Sequence, residues 1–263
     1  YAPTDPYGSQ AVWTNYEAVY HFSDDPTTVT SVITDETGNG QEIEVEGAGL
    51  ATTTGAMGTA LDMIGSAGIL RDVGDDWAWI GGDDLVSTGL YYQTTSSGEA
   101  IWEFGSSANP NWAAYMPWYS NASTTGRGYL YFGSNQSGTW ARDIDVWHHF
   151  TTIAPATTGQ LHGIYDNAVL ELSNTQSTAA PSNLGGLQIG RWTTAGSYNG
   201  MIDELRFASN DDAFSSGWVA TEHLNQTDPT NFYSTSTSIL VGGENVSGWF
   251  STSWDNRVKF TLA

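Results

Sequence analysis

The side chains best suited to hold a ligand stand between Ser106 and Gly128, where Trp112, Tyr115, Trp118 and Tyr119 accompany Asn109, Asn111 and Asn121. Aromatic faces pack against sugar rings while amides and carboxylates bond the hydroxyls, so this combination predicts a glycan site. The alternative is that the rings only anchor their own loop. A second stretch, Asp72 to Leu90, sets Trp77 and Trp79 among Asp72, Asp75, Asp76, Asp83 and Asp84. These acids are dense enough to attract a cation, but they lack the residue spacing of an EF-hand, so a solvated acidic loop is the favoured reading. Both stretches read as long loops, which in a compact domain usually carry function.

Catalytic readings fare less well. Glu42, Glu44 and Glu46 alternate on one side of a strand, as the paired carboxylates of a glycosidase would, but no Trp or Tyr stands beside them and they are expected to face solvent. Asp143 and Asp145 pair in the same way before Trp147, and read as a loop or ligand rim. The chain has no cysteine and no Gly-x-Ser-x-Gly elbow, which removes thiol chemistry and that serine-hydrolase arrangement. His148 and His149 are sequential, so on a strand they point to opposite faces and cannot chelate one ion together; one is expected inside and the other near the surface.

Charge narrows the partners further. Seven basic residues stand against 29 acidic ones, a net charge of −22 over 263 residues. No basic patch can form, so nucleic acid and anionic membranes are excluded as partners and a cation is the more natural guest. No apolar run approaches the length of a membrane-spanning helix. Sparse charged residues, with abundant Ser, Thr, Asn and Gly, suit an exported surface protein.

The elements that must position these residues are strands. Short alternating runs recur at 19–22, 68–70, 100–104, 129–132, 147–153, 160–165, 187–191 and 201–207, bounded by Gly, Asn, Asp and Ser. Asp166-Asn167 predicts a tight hairpin, and Asp211 to Asn225 a short helix with Phe214, Trp218 and Leu224 on one face. Trp13, Trp102 and Trp147 are expected in the core. This is the pattern of an all-β jelly-roll sandwich of two antiparallel sheets.

The order and spacing of several motifs sharpen that reading. They are Ala18-Val19-Tyr20-His21-Phe22, Asp35-Glu36-Thr37-Gly38-Asn39-Gly40, Gly58-Thr59-Ala60-Leu61-Asp62, Trp147-His148-His149-Phe150, Ile164-Tyr165-Asp166-Asn167, Ile189-Gly190-Arg191 and Gly200-Met201-Ile202-Asp203-Glu204-Leu205-Arg206-Phe207. Together they resemble a laminin G-like domain of the concanavalin A-like lectin/glucanase superfamily. The resemblance implies that the first and last strands lie side by side. It also implies a calcium ion between their ends, held by Asp24 (or Asp25), the turn from Asp35 to Asn39, and Asp203. Without the cation, Asp203 would cap a turn or pair with Arg206.

Residues 6–13 and 248–261 resemble the close and the opening of an uncharacterised β-domain that accompanies laminin G-like domains in prokaryotic surface proteins. The expected organisation is therefore a preceding module's tail over 1–13, the jelly roll over 14–233, and a linker with the next module's head strand over 234–263. Arg257 to Leu262 is expected to dock as a strand, on its own sheet or on a neighbouring molecule, and the alternative to a following module's head is that residues 248–263 are a final strand of the sandwich. These readings converge on a non-catalytic adhesion or recognition module of the cell surface, stabilised by calcium and binding a glycan or a protein. The competing expectations are a spacer or filament subunit that self-associates through terminal strands and, more remotely, a polysaccharide hydrolase.

Overall fold

The computed structural model describes residues 13–66, 68–72, 84–94, 100–106, 109–115, 125–131, 135–141, 143–175, 186–190, 198–209, 214–228, 233–235 and 260–262. Sheet A runs in the order β14 (Val169–Thr175), β13 (Leu161–Asp166), β12 (Trp147–Ala154), β7 (Leu85–Gln93), β16 (Gly200–Ala208), β5 (Thr59–Asp62), β4 (Ala51–Thr54), with β1 (Ala18–Tyr20) also on β16. Sheet B runs β11 (Asn135–Ala141), β10 (Thr125–Tyr131), β9 (Asn109–Tyr115), β8 (Ala100–Ser106), β15 (Leu187–Ile189), β6 (Ile69–Arg71), β3 (Ile43–Glu46), β2 (Val32–Ile33). All the pairings are antiparallel. The sheets enclose one apolar core, in which Trp102, Phe104 and Phe207 meet edge to face with centroids 5.4–5.5 Å apart.

The first and last core strands are neighbours, as the resemblance implies: Ala18, Val19 and Tyr20 pair with Phe207, Arg206 and Leu205. A bulge follows on β16, where Glu204 and Leu205 together oppose Gly89 of β7 and Glu204 takes a positive φ of 53°. Gly89 is needed there, since a Cβ would lie 3.2–3.3 Å from the backbone of Asp203, Glu204 and Leu205. This bulge turns the acids of the Ile-Asp-Glu motif away from a regular ladder.

The hairpin between β13 and β14 falls one residue later than Asp166-Asn167. Asp166 still pairs with Val169, and the turn residues are Asn167 and Ala168, with φ of 49° and 63°. Two positive φ values define a type I′ turn, which favours Asn-Gly over Asn-Ala. Ala168→Gly is therefore expected to stabilise the chain by about 0.5–1 kcal/mol, because the left-handed conformation disfavours a Cβ. A melting temperature no higher than that of the unmodified protein would contradict this.

The helix α1 spans Ser216–Thr227, with Ser215 as its N-cap accepting the Trp218 N–H at 3.2 Å. Its buried face is Val219, Glu222 and Gln226, rather than the predicted line through Phe214, Trp218 and Leu224. Leu224 is exposed, while Phe214 and Trp218 join Val86, Ala208, Tyr16 and Ile153 in a small second cluster. Two of the three tryptophans expected in the core are only half-buried: Trp13 packs on Tyr16 and His21, and Trp147 on Tyr92, leaving Trp102 in the core proper.

Near the C-terminus, β18 (Phe260–Leu262) pairs with β17 (Tyr233–Thr235) in a separate two-stranded sheet. Part of the predicted terminal strand is thus paired within its own chain, on β17 and not on either sheet of the sandwich. Residues 257–259 and 248–256 lie outside the described residues.

Candidate functional site

The stretch expected as one long loop is largely strand. Within 106–128, Asn109–Tyr115 forms β9 and Thr125 opens β10, while Leu85 to Leu90 of the other predicted loop belongs to β7. Trp112 stands opposite Phe104 of β8; Tyr115 stands opposite Ala100 of β8 and Tyr129 of β10. Trp118, Tyr119, Asn121, Trp77, Trp79, Asp75, Asp76 and Asp83 lie outside the described residues. The aromatic candidates Trp112 and Tyr115 therefore sit on β9, among the strands β8–β11 that extend sheet B at one end; by register Trp112 falls on the face of the core residue Phe104, and Tyr115 on the opposite face with Ala113.

That sheet carries a polar row which no local sequence motif announces. Glu44 of β3 pairs in register with Arg71 of β6, Arg71 with Gln188 of β15, Gln188 with Glu103 of β8, and Glu103 with Ala113 of β9. The neighbours Val45, Leu70, Leu187, Ile189, Trp102 and Phe104 belong to the core, so by alternation the row occupies the outer face. It is exposed at Arg71 and half-buried at Glu44, then covered at Gln188 and Glu103. Glu46 adds an exposed carboxylate whose Oε2 is 3.5 Å from Arg71 Nη1, a weak surface pair. Glu42 and Glu46 are exposed, as predicted.

The accessible part of this row, Arg71 with Glu44, can hydrogen-bond hydroxyl groups at that end of the sheet, while Gln188 and Glu103 are buried. The row does not match a hydrolase pair. Glu44 and Glu103 are three strand spacings apart, about 14 Å at the usual interstrand distance, against the 5–9.5 Å that glycoside hydrolysis needs.

The residues assigned to calcium are occupied differently. Asp35 is buried; its Oδ1 accepts the N–H groups of Val19 (3.1 Å) and Thr37 (3.0 Å), and its Oδ2 accepts the Thr37 hydroxyl (2.6 Å) and the Gln41 N–H (3.2 Å). Asn39 donates from Nδ2 to the carbonyls of Tyr16 and Glu17, and Asp24 Oδ2 accepts the Thr34 N–H. Asp203 Oδ2 accepts the Met57 N–H at 2.8 Å beside Gly55, where a Cβ would come within 2.4 Å of that oxygen. Among the described residues no three His, Asp or Glu side chains are grouped to hold a metal, so Asp24, Asp35 and Asp203 do not form one cage. Asp35 ties β1 to the following turn through the hydrogen bonds it accepts, one from Val19 of β1 and three from Thr37 and Gln41.

Asp203 is the exception within that set. It is fully buried and its Oδ1 has no partner. Burial, reinforced by the nearby Glu204 charge, outweighs the Met57 amide and pushes its pKa up to about 7. Glu204 goes the other way: despite burial, His21 Nδ1 at 2.7 Å and Arg206 Nη2 at 2.6 Å hold it below the usual range.

Both members of the histidine pair are buried, where one was expected near the surface. His148 stacks on Tyr91, 5.1 Å between centroids, and places Nδ1 2.9 Å from Asp166 Oδ1 and Nε2 3.0 Å from the Asp143 carbonyl. His149 lies on the opposite face, covered by α1, because a helix packs where the sequence alone shows an outward strand position.

No protein-family profile and no curated protein matches the sequence. Among solved structures the chain is similar to domain 4 of AbnA, a GH43 extracellular arabinanase from Geobacillus stearothermophilus, in complex with arabinotriose. The TM-score is 0.60 at 19 % identity, covering 78 % of this chain and 97 % of that one. It is also similar to the binding domain of botulinum neurotoxin DC in complex with SialylT, with TM-score 0.55 and 11 % identity over 82 % of this chain and 52 % of that one. The same neurotoxin domain in complex with rat synaptotagmin II gives TM-score 0.55 and 12 % identity over 87 % and 55 %. The chain spans about half of those neurotoxin chains. At these identities the likeness is one of fold, a concanavalin A-like lectin/glucanase-type β-sandwich.

Proposed function

We propose that the chain is a non-catalytic, extracellular recognition module that binds an oligosaccharide across the outer face of sheet B. The polar row Glu44–Arg71–Gln188–Glu103, accessible at Arg71 and Glu44 and running in register to Ala113 on the face of Tyr115, carries this reading. Arg71 and Glu44 supply accessible hydrogen bonds, and Tyr115, two residues beyond Ala113 on the same face of β9, supplies an apolar contact; Trp112, in register with the core residue Phe104, falls on the other face, and Trp118 and Tyr119 lie outside the described residues. The complexes of two fold neighbours, one with arabinotriose and one with SialylT, support a sugar as the ligand class. The distance between Glu44 and Glu103 supports binding without hydrolysis.

The finer assignment is to a laminin G-like module over 14–233 between pieces of neighbouring modules. Calcium is tested alongside, because the side chains at Asp35 and Asn39 are already committed to hydrogen bonds and do not fit the set that the resemblance implies. A glycan array containing arabino-oligosaccharides and sialylated glycans, probed with and without calcium, tests the reading. A defined set of bound glycans is expected, with little change on chelation. A silent array moves the weight to a rival proposal, a spacer or filament subunit joined through terminal strands.

A further inference from the structure

Beneath α1, the outer face of sheet A presents Thr88, His149 and Thr151. Thr88 Oγ1 is 3.2 Å from the Phe150 carbonyl, 3.2 Å from Thr151 Oγ1 and 3.0 Å from His149 Nε2. A hydroxyl has one proton to give, and the carbonyl can only accept it. The Thr88 oxygen therefore accepts from His149, which fixes that ring as the Nε2–H tautomer and leaves Nδ1 a bare lone pair. His149 is fully buried, and this Nδ1 has no partner.

His223 of α1 faces it with ring centroids 5.6 Å apart and planes at 49°; its own Nδ1 is likewise buried and unpartnered. One turn along the helix, Gln226 gives its Nε2 to Glu222 Oε1 at 2.6 Å and keeps a buried Oε1 without a partner. Leaving buried lone pairs unsatisfied is costly. Imidazole nitrogens suit borderline d-block cations, and a metal-binding histidine characteristically donates its other ring N–H to an oxygen, as His149 does to Thr88.

We propose that His149 and His223 form a two-imidazole site for a divalent d-block cation such as Zn2+, pinning α1 to sheet A. The remaining coordination positions fall to water and, by its place on the helix, to the Gln226 amide oxygen. No third His, Asp or Glu joins the pair among the described residues, so the site is open and of modest affinity compared with a closed four-ligand site.

The test is thermal unfolding with ZnCl2 alone, in the unmodified protein and in His223→Ala, a replacement that a helix tolerates well. CaCl2 serves as the control for loose binding to a surface of charge −22. Zinc in excess is expected to raise the melting temperature by roughly 3–6 °C in the unmodified protein, and to lose most of that effect in His223→Ala. Calcium is expected to treat the two proteins alike. In the unmodified protein, Co2+ should develop the intense visible absorption of a low-coordinate site. No zinc shift, or an equal shift in both proteins, would overturn the proposal in favour of a direct hydrogen bond between the two rings.

Discussion

Replacing Arg206 with methionine is expected to remove about 3–5 kcal/mol of stability, roughly 10 °C of melting temperature for a chain of this size. Arg206 is buried on β16 between two carboxylates. Nη2 donates to Glu204 Oε2 at 2.6 Å, Nη1 donates to Glu222 Oε1 on α1, and the guanidinium lies 4.8 Å from the Trp13 ring centroid. Removing the cation leaves two buried carboxylates, Glu204 beside His21 and Glu222 beside Gln226. The loss comes from those stranded charges more than from the bonds themselves. Arg206→Met combined with Glu204→Gln and Glu222→Gln is accordingly expected to recover part of it. Calorimetry of the single and triple variants checks this, and a single variant within about 1 kcal/mol of the unmodified protein would contradict it.

Asp203→Asn is expected to act in the opposite direction, and only at high pH. The carboxyl moves from 3.8 unfolded to about 7 folded, equivalent to about 4 kcal/mol between its protonation states. The folded chain holds this proton more tightly, so the contribution is complete below pH 4 and is lost as pH rises through 7. His149, depressed to about 3, works against it over much of the same range, because the unfolded chain binds that proton more readily. The difference between the two proteins isolates Asp203: near zero at pH 4, and about 3–4 kcal/mol in favour of asparagine at pH 8. Urea unfolding at both pH values measures it. Equal stability at pH 8 would contradict the account. Calcium added at pH 8 that makes the unmodified protein the more stable of the two would instead place a cation on the ionised Asp203.

Much of the sandwich was legible because alternation and turn residues are local. Ile-Asp-Glu-Leu-Arg-Phe reads as a strand wherever it occurs, and β1 lies beside it as the resemblance implied. What failed was set by distant partners. Nothing near Glu222 or His223 in sequence shows that their helix covers His149, so both the buried helix face and the exposure of one histidine were misjudged. Glu103 and Gln188 interrupt apolar strands, Ile101-Trp102-Glu103-Phe104 and Leu187-Gln188-Ile189, and that interruption was the available signal for the polar row. Their alignment with Arg71 and Glu44 is a matter of register, invisible along the chain. A carboxylate followed by Thr, Gly and Asn suits a calcium turn and equally describes a turn that bonds its own amides, as Asp35 does, so the residues alone do not separate the two.

The central claim, oligosaccharide binding on the outer face of sheet B, is tested most directly by calorimetric titration of the strongest array hit into the unmodified protein, Arg71→Ala and Tyr115→Ala. The account predicts saturable binding by the unmodified protein that weakens tenfold or more, about 1.4 kcal/mol, in each variant, with melting temperatures little changed for the exposed Arg71. Binding that persists undiminished in both variants would contradict it.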